Sequence, residues 1–143
     1  TSPYFAAHMI NLEWVQHRSG VHRMFASSSD VKDEKGNFLV TSYAVLRPDG
    51  NWSVMLVNRD ESNAHPVRLS FNAGGNGESA FSGPVRFVTF GSEQYVWLND
   101  GPNSHPDPDN PPVAMSVNAN RETVFTLPKA SVSVLRGRIE IQK

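Results

Sequence analysis

The sequence predicts an all-β protein, an antiparallel two-sheet β-sandwich of jelly-roll or immunoglobulin-like kind with eight or nine strands. Three observations carry that expectation. Short apolar runs recur between turn residues at strand spacing, the stretch from Thr41 to Asp60 reads as one tight hairpin, and ten prolines with ten glycines leave room for little helix. At 143 residues the chain fits one domain and falls short of the roughly 200 residues that a (β/α)₈ barrel requires.

The elements follow in chain order. From Tyr4 to Val15 apolar residues fall at Phe5, Met9, Leu12 and Val15, which favours a short helix, while Ile10, Leu12 and Trp14 alternate as a strand would. Both periods compete there. Ser27 to Asn37 is polar and reads as a solvated loop. In TSYAVLRPDGNWSVMLVNRD, Pro48 presets φ for a turn and Gly50 accepts a positive φ, so the loop pairs Arg47 with Asn51, Leu46 with Trp52, Ala44 with Val54 and Ser42 with Leu56. That face is expected in the core, and the other carries Tyr43, Val45, Arg47, Asn51, Ser53, Met55 and Arg59. Val67, Leu69 and Phe71 alternate with polar residues as a third strand, and Ala73 to Gly77 reads as a flexible glycine-rich turn. Further strands are expected at Val85–Phe90, Glu93–Leu98, Val113–Val117, Glu122–Leu127 and Ser131–Ile141. Between them, residues 99 to 112 hold five prolines, which excludes a helix or a central strand and predicts a long, stiff loop.

Composition removes several functions. With 13 basic and 14 acidic residues scattered along the chain, no footprint for nucleic acid or an anionic membrane is visible. No apolar run is long enough to span a bilayer, and the zero cysteine count removes disulfides and thiolate metal sites. The chain begins at Thr1 without a signal-type core and is read as excised or processed. Glu13 and Glu93 sit beside aromatic residues, but their expected role is that of ordinary exposed or edge-strand acids rather than a glycosidase pair. Asp100, Asn103, His105, Asp107, Asp109 and Asn110 make the 99–112 loop oxygen-rich, and Ca²⁺ is the ion such donors favour. The loop lacks the glycine and distal glutamate of an EF-hand, so turn-making side chains are expected there and no cofactor is assigned. The five histidines form no zinc motif. No catalytic constellation emerges, and the chain is expected not to be an enzyme.

Aromatic residues offer the better lead. Flat rings bordered by Asn, Asp and Arg make a platform for the apolar faces of sugar rings. Tyr95 and Trp97, two apart before the polar loop, are expected on one strand face, assisted by Asp100 and Asn103. Tyr43 with Arg47 on the outer face of the hairpin is the alternative patch.

The segments YAVLRPDGNWSVMLVNRD, QYVWLNDG, PDPDNPP and FTLPKASVSVLRG together resemble the C-terminal β-sandwich that follows the catalytic barrel in bacterial glycoside hydrolases of the family 39, 30 and 51 kind. The likeness runs from about Phe38 to Ile141. It implies that residues 1–143 are a single sandwich domain excised from a larger secreted or periplasmic bacterial hydrolase, with residues 1–24 as the exit from the barrel or a first strand. The catalytic glutamates of those families lie on barrel strands, so none is carried onto this chain. The expected role is a carbohydrate-binding module for plant cell-wall polysaccharide of β-glucan or xylan type, with pure support of the catalytic domain as the alternative. Exposed coplanar aromatics would favour sugar binding; a broad apolar patch near the N-terminal segment would favour docking.

Overall fold

The structure, a computed structural model, describes residues 2–72 and 77–141. The glycine-rich turn expected from Ala73 to Gly77 lies, except for Gly77, outside the described residues. The chain opens with a helix, α1 (Ser2–His8), that widens into a π-helical turn over Met9–Trp14. Thirteen strands follow among the described residues: β1 (Arg23–Phe25), β2 (Val40–Leu46), β3 (Trp52–Asn58), β4 (His65–Val67), β5 (Phe71–Asn72), β6 (Glu78–Phe81), β7 (Gly83–Gly91), β8 (Tyr95–Leu98), β9 (His105–Asp109), β10 (Val113–Ala119), β11 (Phe125–Leu127), β12 (Ser131–Gly137) and β13 (Ile139–Ile141). An antiparallel six-stranded sheet in the order β1-β2-β3-β12-β7-β10 forms one layer, and the short sheets β11-β4 and β13-β6-β5 form the other. The expected sandwich is therefore present, with more and shorter strands than the sequence indicated.

The hairpin is built as its turn chemistry dictates. Arg47 N donates to Asn51 O at 2.9 Å, Gly50 N donates to Arg47 O at 3.0 Å, and Gly50 takes φ +84°. Ser42 pairs with Leu56, Ala44 with Val54 and Leu46 with Trp52, the register expected from the two-period alternation. Ala44, Val54 and Leu56 enter the inter-layer core with Val40, Phe81, Val85, Phe87, Phe125, Leu127 and Leu135. Asn58, at the far end of β3, is almost wholly buried; its amide donates to Pro128 O at 2.9 Å and its Oδ1 accepts from Asp60 N at 3.0 Å. One side chain thereby ties the hairpin to the connection between β11 and β12.

The structure departs from the sequence reading in four places. Arg68 to Ser70 break the expected third strand in two, because the chain leaves β11 as partner at Val67 and takes up β6 at Phe71. Its inward alternation survives: Val67, Leu69 and Phe71 all pack on the core. The proline-rich stretch is not all loop, since β9 pairs with β8 as a projecting two-stranded ribbon. Edge pairing there tolerates Pro106 and Pro108, which have no N–H to donate. The N-terminal competition resolves as helix, and that helix lies on the outer face of the six-stranded sheet, where Phe5, Met9 and Trp14 pack with Val88, Phe90, Val134, Met55 and Val132. Glu13, expected to be an ordinary exposed acid, is only 7% exposed.

Backbones approach closely where β7 ends. A Cβ on Gly91 would stand 2.5 Å from Ala130 O and 2.8 Å from Ser131 Cα, atoms that cannot swing away as a side chain tip could. Gly91→Ala is therefore expected to lower unfolding stability by about 1–3 kcal/mol in urea denaturation, while Ser116→Ala on the exposed side of β10 should stay within about 0.5 kcal/mol.

Candidate functional site

The N-terminal arm is held by one carboxylate. The π turn is closed by Val15 N donating to Ile10 O at 3.1 Å, a bond spanning five residues. A regular 3.6-residue helix through Phe5 and Met9 would turn Leu12 inward; the wider π turn sends Leu12 out and Glu13 in. Arg86 and Arg136 face each other across β7 and β12, and both reach Glu13. Arg86 Nε and Nη2 donate to the two carboxylate oxygens at 2.9 Å each, a bidentate pair, and Arg136 Nη1 donates to Oε2 at 3.3 Å. The Glu13 carbonyl oxygen accepts from Arg47 Nη1 at 3.3 Å and Arg136 Nη1 at 3.2 Å. The hydrogen bond from Arg86, opposed by burial and reinforced by the charges of Arg86 and Arg136, holds the Glu13 carboxyl below its ordinary value of 4.5.

This clamp decides the fate of the hairpin patch. Arg47 is 8% exposed, paired with Asp49 at 3.2 Å and covered by the arm, so it is not the surface sugar contact that its strand position suggested. Tyr43 stays half-exposed at the edge of that cover, its carbonyl oxygen accepting the Trp14 indole N–H at 3.1 Å. The structure thus separates the two members of that pair.

The ribbon patch is divided as well. Tyr95 turns into the cluster under the arm, its ring 6.3 Å from Phe90, while Trp97 is 55% exposed. Across the ribbon Tyr95 pairs with Asp109 and Trp97 with Pro106, an irregularity that gives β9 one residue more than β8. At the tip, Gly101–Asn103 forms a 3₁₀ turn closed by Asn103 N donating to Asp100 O at 2.9 Å, and Asp100 N donates to Ser104 Oγ at 2.9 Å. Asp100 and Asn103 remain exposed there. Trp97 with this polar tip is what stays of the proposed platform; a coplanar pair with Tyr95 is not. Among the described residues no group of three or more His, Asp or Glu is placed to hold a metal ion, and no helix is long and apolar enough to cross a membrane. Asp60 makes a separate local knot, with its carboxylate accepting from Ser62 N and Asn63 N and paired with His65 at 2.8 Å; those bonds lower its pKa to about 2.

Sequence reasoning did not place the apolar side chains that the arm turns to solvent. Leu12 is 42% exposed, Ile10 41% and Tyr4 62%, and an open groove of about 740 Å³, lined by Tyr4, Leu12 and Val15 alongside polar His8, Gln16 and Arg18, runs along the outward side of the arm. The π turn that exposes Leu12 leaves no mark in the spacing. The clamp did leave one: Arg86 and Arg136 each interrupt an otherwise apolar strand, in VRFV and VLRG.

The structural neighbours include arabinofuranosidases. A GH51 α-L-arabinofuranosidase from Thermotoga petrophila RKU-1 aligns at 16% identity and a TM-score of 0.47, over 71% of this chain and 19% of its own. The GH51 arabinofuranosidase of Xanthomonas axonopodis pv. citri aligns at 18% identity and 0.46, over 81% and 21%. This chain therefore spans about a fifth of the length of those enzymes. A protein of unknown function (DUF1255) from Acinetobacter sp. ADP1 aligns over 82% of this chain and 93% of its own, at 13% identity and 0.40. No protein-family model and no curated protein matches the chain.

Glu13 has a testable pH signature. A carboxyl whose folded pKa is depressed contributes stability that is present above its unfolded value and is lost as pH falls through the folded one. Glu13→Gln is expected to cost about 1–2 kcal/mol at pH 7, less than a fully buried pair because solvent screens the half-exposed Arg86. Urea melts at pH 7, 5 and 3 should show the difference from wild type shrinking as the acid side is reached.

Proposed function

We propose that this chain is a non-catalytic accessory sandwich of a secreted or periplasmic bacterial glycoside hydrolase, and that it supports the catalytic barrel by docking its N-terminal arm against it. The observation that carries this reading is the two-sided arm. Its inner side is locked to the sheet by Glu13, and its outer side presents Tyr4, Ile10 and Leu12 to solvent, with Tyr4 and Leu12 lining an open groove of mixed apolar and polar character. Exposed apolar side chains grouped on one short arm, rimmed by polar residues, support an interaction site there. The clamp orients it, because an arm held at both charged and apolar points offers a rigid surface that loses little entropy on docking. The occupant named here, a (β/α)₈ domain of the family 39, 30 or 51 kind, comes from the sequence resemblance.

Sugar binding is the second reading, and Trp97 favours it. A half-exposed indole beside Asp100 and Asn103 supplies one stacking face and hydrogen-bonding groups, enough for a single sugar subsite on a β-glucan or xylan chain.

Two measurements separate these roles. Titrated calorimetrically with a family 39, 30 or 51 barrel prepared without its own sandwich, the chain should associate, and Leu12→Glu should weaken the association by at least about tenfold with an unchanged thermal melt. Failure to associate with barrels of all three kinds overturns docking. In gels containing barley β-glucan, xyloglucan, xylan or mannan, retardation of the wild type that Trp97→Ala abolishes establishes the sugar subsite, and unchanged mobility in every gel removes it.

A further inference from the structure

The two layers of the sandwich do not close over their β10 side. Phe87 and Phe125 lie nearly parallel there, their rings 5.9 Å apart and 7° from coplanar, and both are buried. Beyond them β10 runs on as the edge of the large sheet. The facing layer offers only the three residues of β11 against its seven. The result is a cleft of about 430 Å³ between the layers, within the range of about 300–1,000 Å³ that small-molecule pockets occupy. Val113, Met115 and Val124 form its rim and are each at least half exposed. These three apolar side chains meet around one opening instead of being scattered singly over the surface.

One polar side chain at the cleft has unused capacity. Gln94 is only 8% exposed. Its backbone N–H donates to Gly91 O at 2.9 Å, its carbonyl oxygen accepts from Asn110 N at 2.8 Å, and its Oε1 accepts from Gly91 N at 2.9 Å. The bond from Gly91 fixes the amide orientation, since a backbone N–H requires an acceptor; Nε2, with two hydrogens, has no partner among the described residues and is open to solvent at the cleft. A donor held so rigidly in an apolar cleft favours a ligand that brings an acceptor. Among the described residues the only charged one lining the cleft is Glu93, an acid, which disfavours anions.

We propose that this inter-layer cleft is a binding site for a small, uncharged, mainly apolar molecule. Its ring or alkyl body packs on Phe87 and Phe125, and a carbonyl or ether oxygen accepts from Gln94 Nε2. The site faces away from the arm, so it stands or falls independently of the docking role.

The test uses the full chain, labelled with ¹⁵N, and two probes that differ by one carbonyl, naphthalene and 2-acetonaphthone. Saturable shifts are expected at the Gln94 side-chain amide and at backbone amides in 113–117 and 124–126, with the ketone about fivefold tighter through its added hydrogen bond. Met115→Lys and, separately, Val124→Lys place a charge at the half-exposed rim and should weaken binding about tenfold or more while leaving the thermal melt within a few degrees of wild type. If one variant fails to fold, the other is read alone. Shifts that do not saturate, that map outside the cleft, or that persist unchanged in a folded rim variant overturn the proposal. Equal affinity for the two probes overturns the role of Gln94.

Discussion

The arrangement of the outer sheet face depends on Glu13. Three arginines converge on that face, Arg47 from the turn that follows β2 and Arg86 and Arg136 from β7 and β12; Asp49 pairs with Arg47, while the arm brings the Glu13 carboxylate to Arg86 and Arg136 and the Glu13 carbonyl to Arg47 and Arg136. Burial, and after it the charge of nearby Arg136, pulls the Arg47 guanidinium below its ordinary pKa. For Arg86 and Arg136 the anion comes from outside the sheet, carried by the arm. Once Glu13 is seated, Phe5 and Met9 are carried over Phe90, Val88 and Val134, and the apolar half of the same face is covered too.

Covering both faces of a six-stranded sheet changes where function can reside. Many sugar-binding sandwiches could use an open sheet face, but here the central strands have the second layer on one side and the arm on the other. What remains is peripheral: the ribbon with Trp97, the outer side of the arm, and the unclosed β10 side of the sandwich. Each arises from a specific mismatch. Prolines keep the ribbon at an edge, the π turn rotates Leu12 outward, and β11 is too short to roof β10.

The legible parts of the fold were those in which local chemistry decides. Pro48 and Gly50 specify a turn, the turn sets the register, and period-two alternation then sorts Ala44, Val54 and Leu56 inward. Excluding a central strand from residues 99–112 was equally local, since proline cannot donate to a ladder, whereas the short 3₁₀ turn at Gly101–Asn103 was not foreseen. Where the reading fell short, a partner distant in sequence was responsible. Arg47 looked like a surface residue because nothing in its own strand reveals a cover that arrives from Glu13, 34 positions earlier. Tyr95 and Trp97 share a strand, but only Tyr95 lies within reach of the cluster beneath the arm. Gln94 carries no motif at all; its free amide is a consequence of Gly91 and Asn110 using the rest of the residue.

By itself the sequence determined the all-β class, the hairpin and its register, the inward set of the inner sheet face and the exclusion of a central strand from the proline-rich stretch. All of these follow from backbone torsions and side-chain alternation, which act over a few residues. Tertiary structure alone decided which way the N-terminal arm turns, that an acid at position 13 is buried among arginines, which of two neighbouring aromatics meets solvent, and where the two layers fail to meet. Those outcomes are set by charge compensation and packing between segments up to 123 residues apart, and no local pattern encodes them.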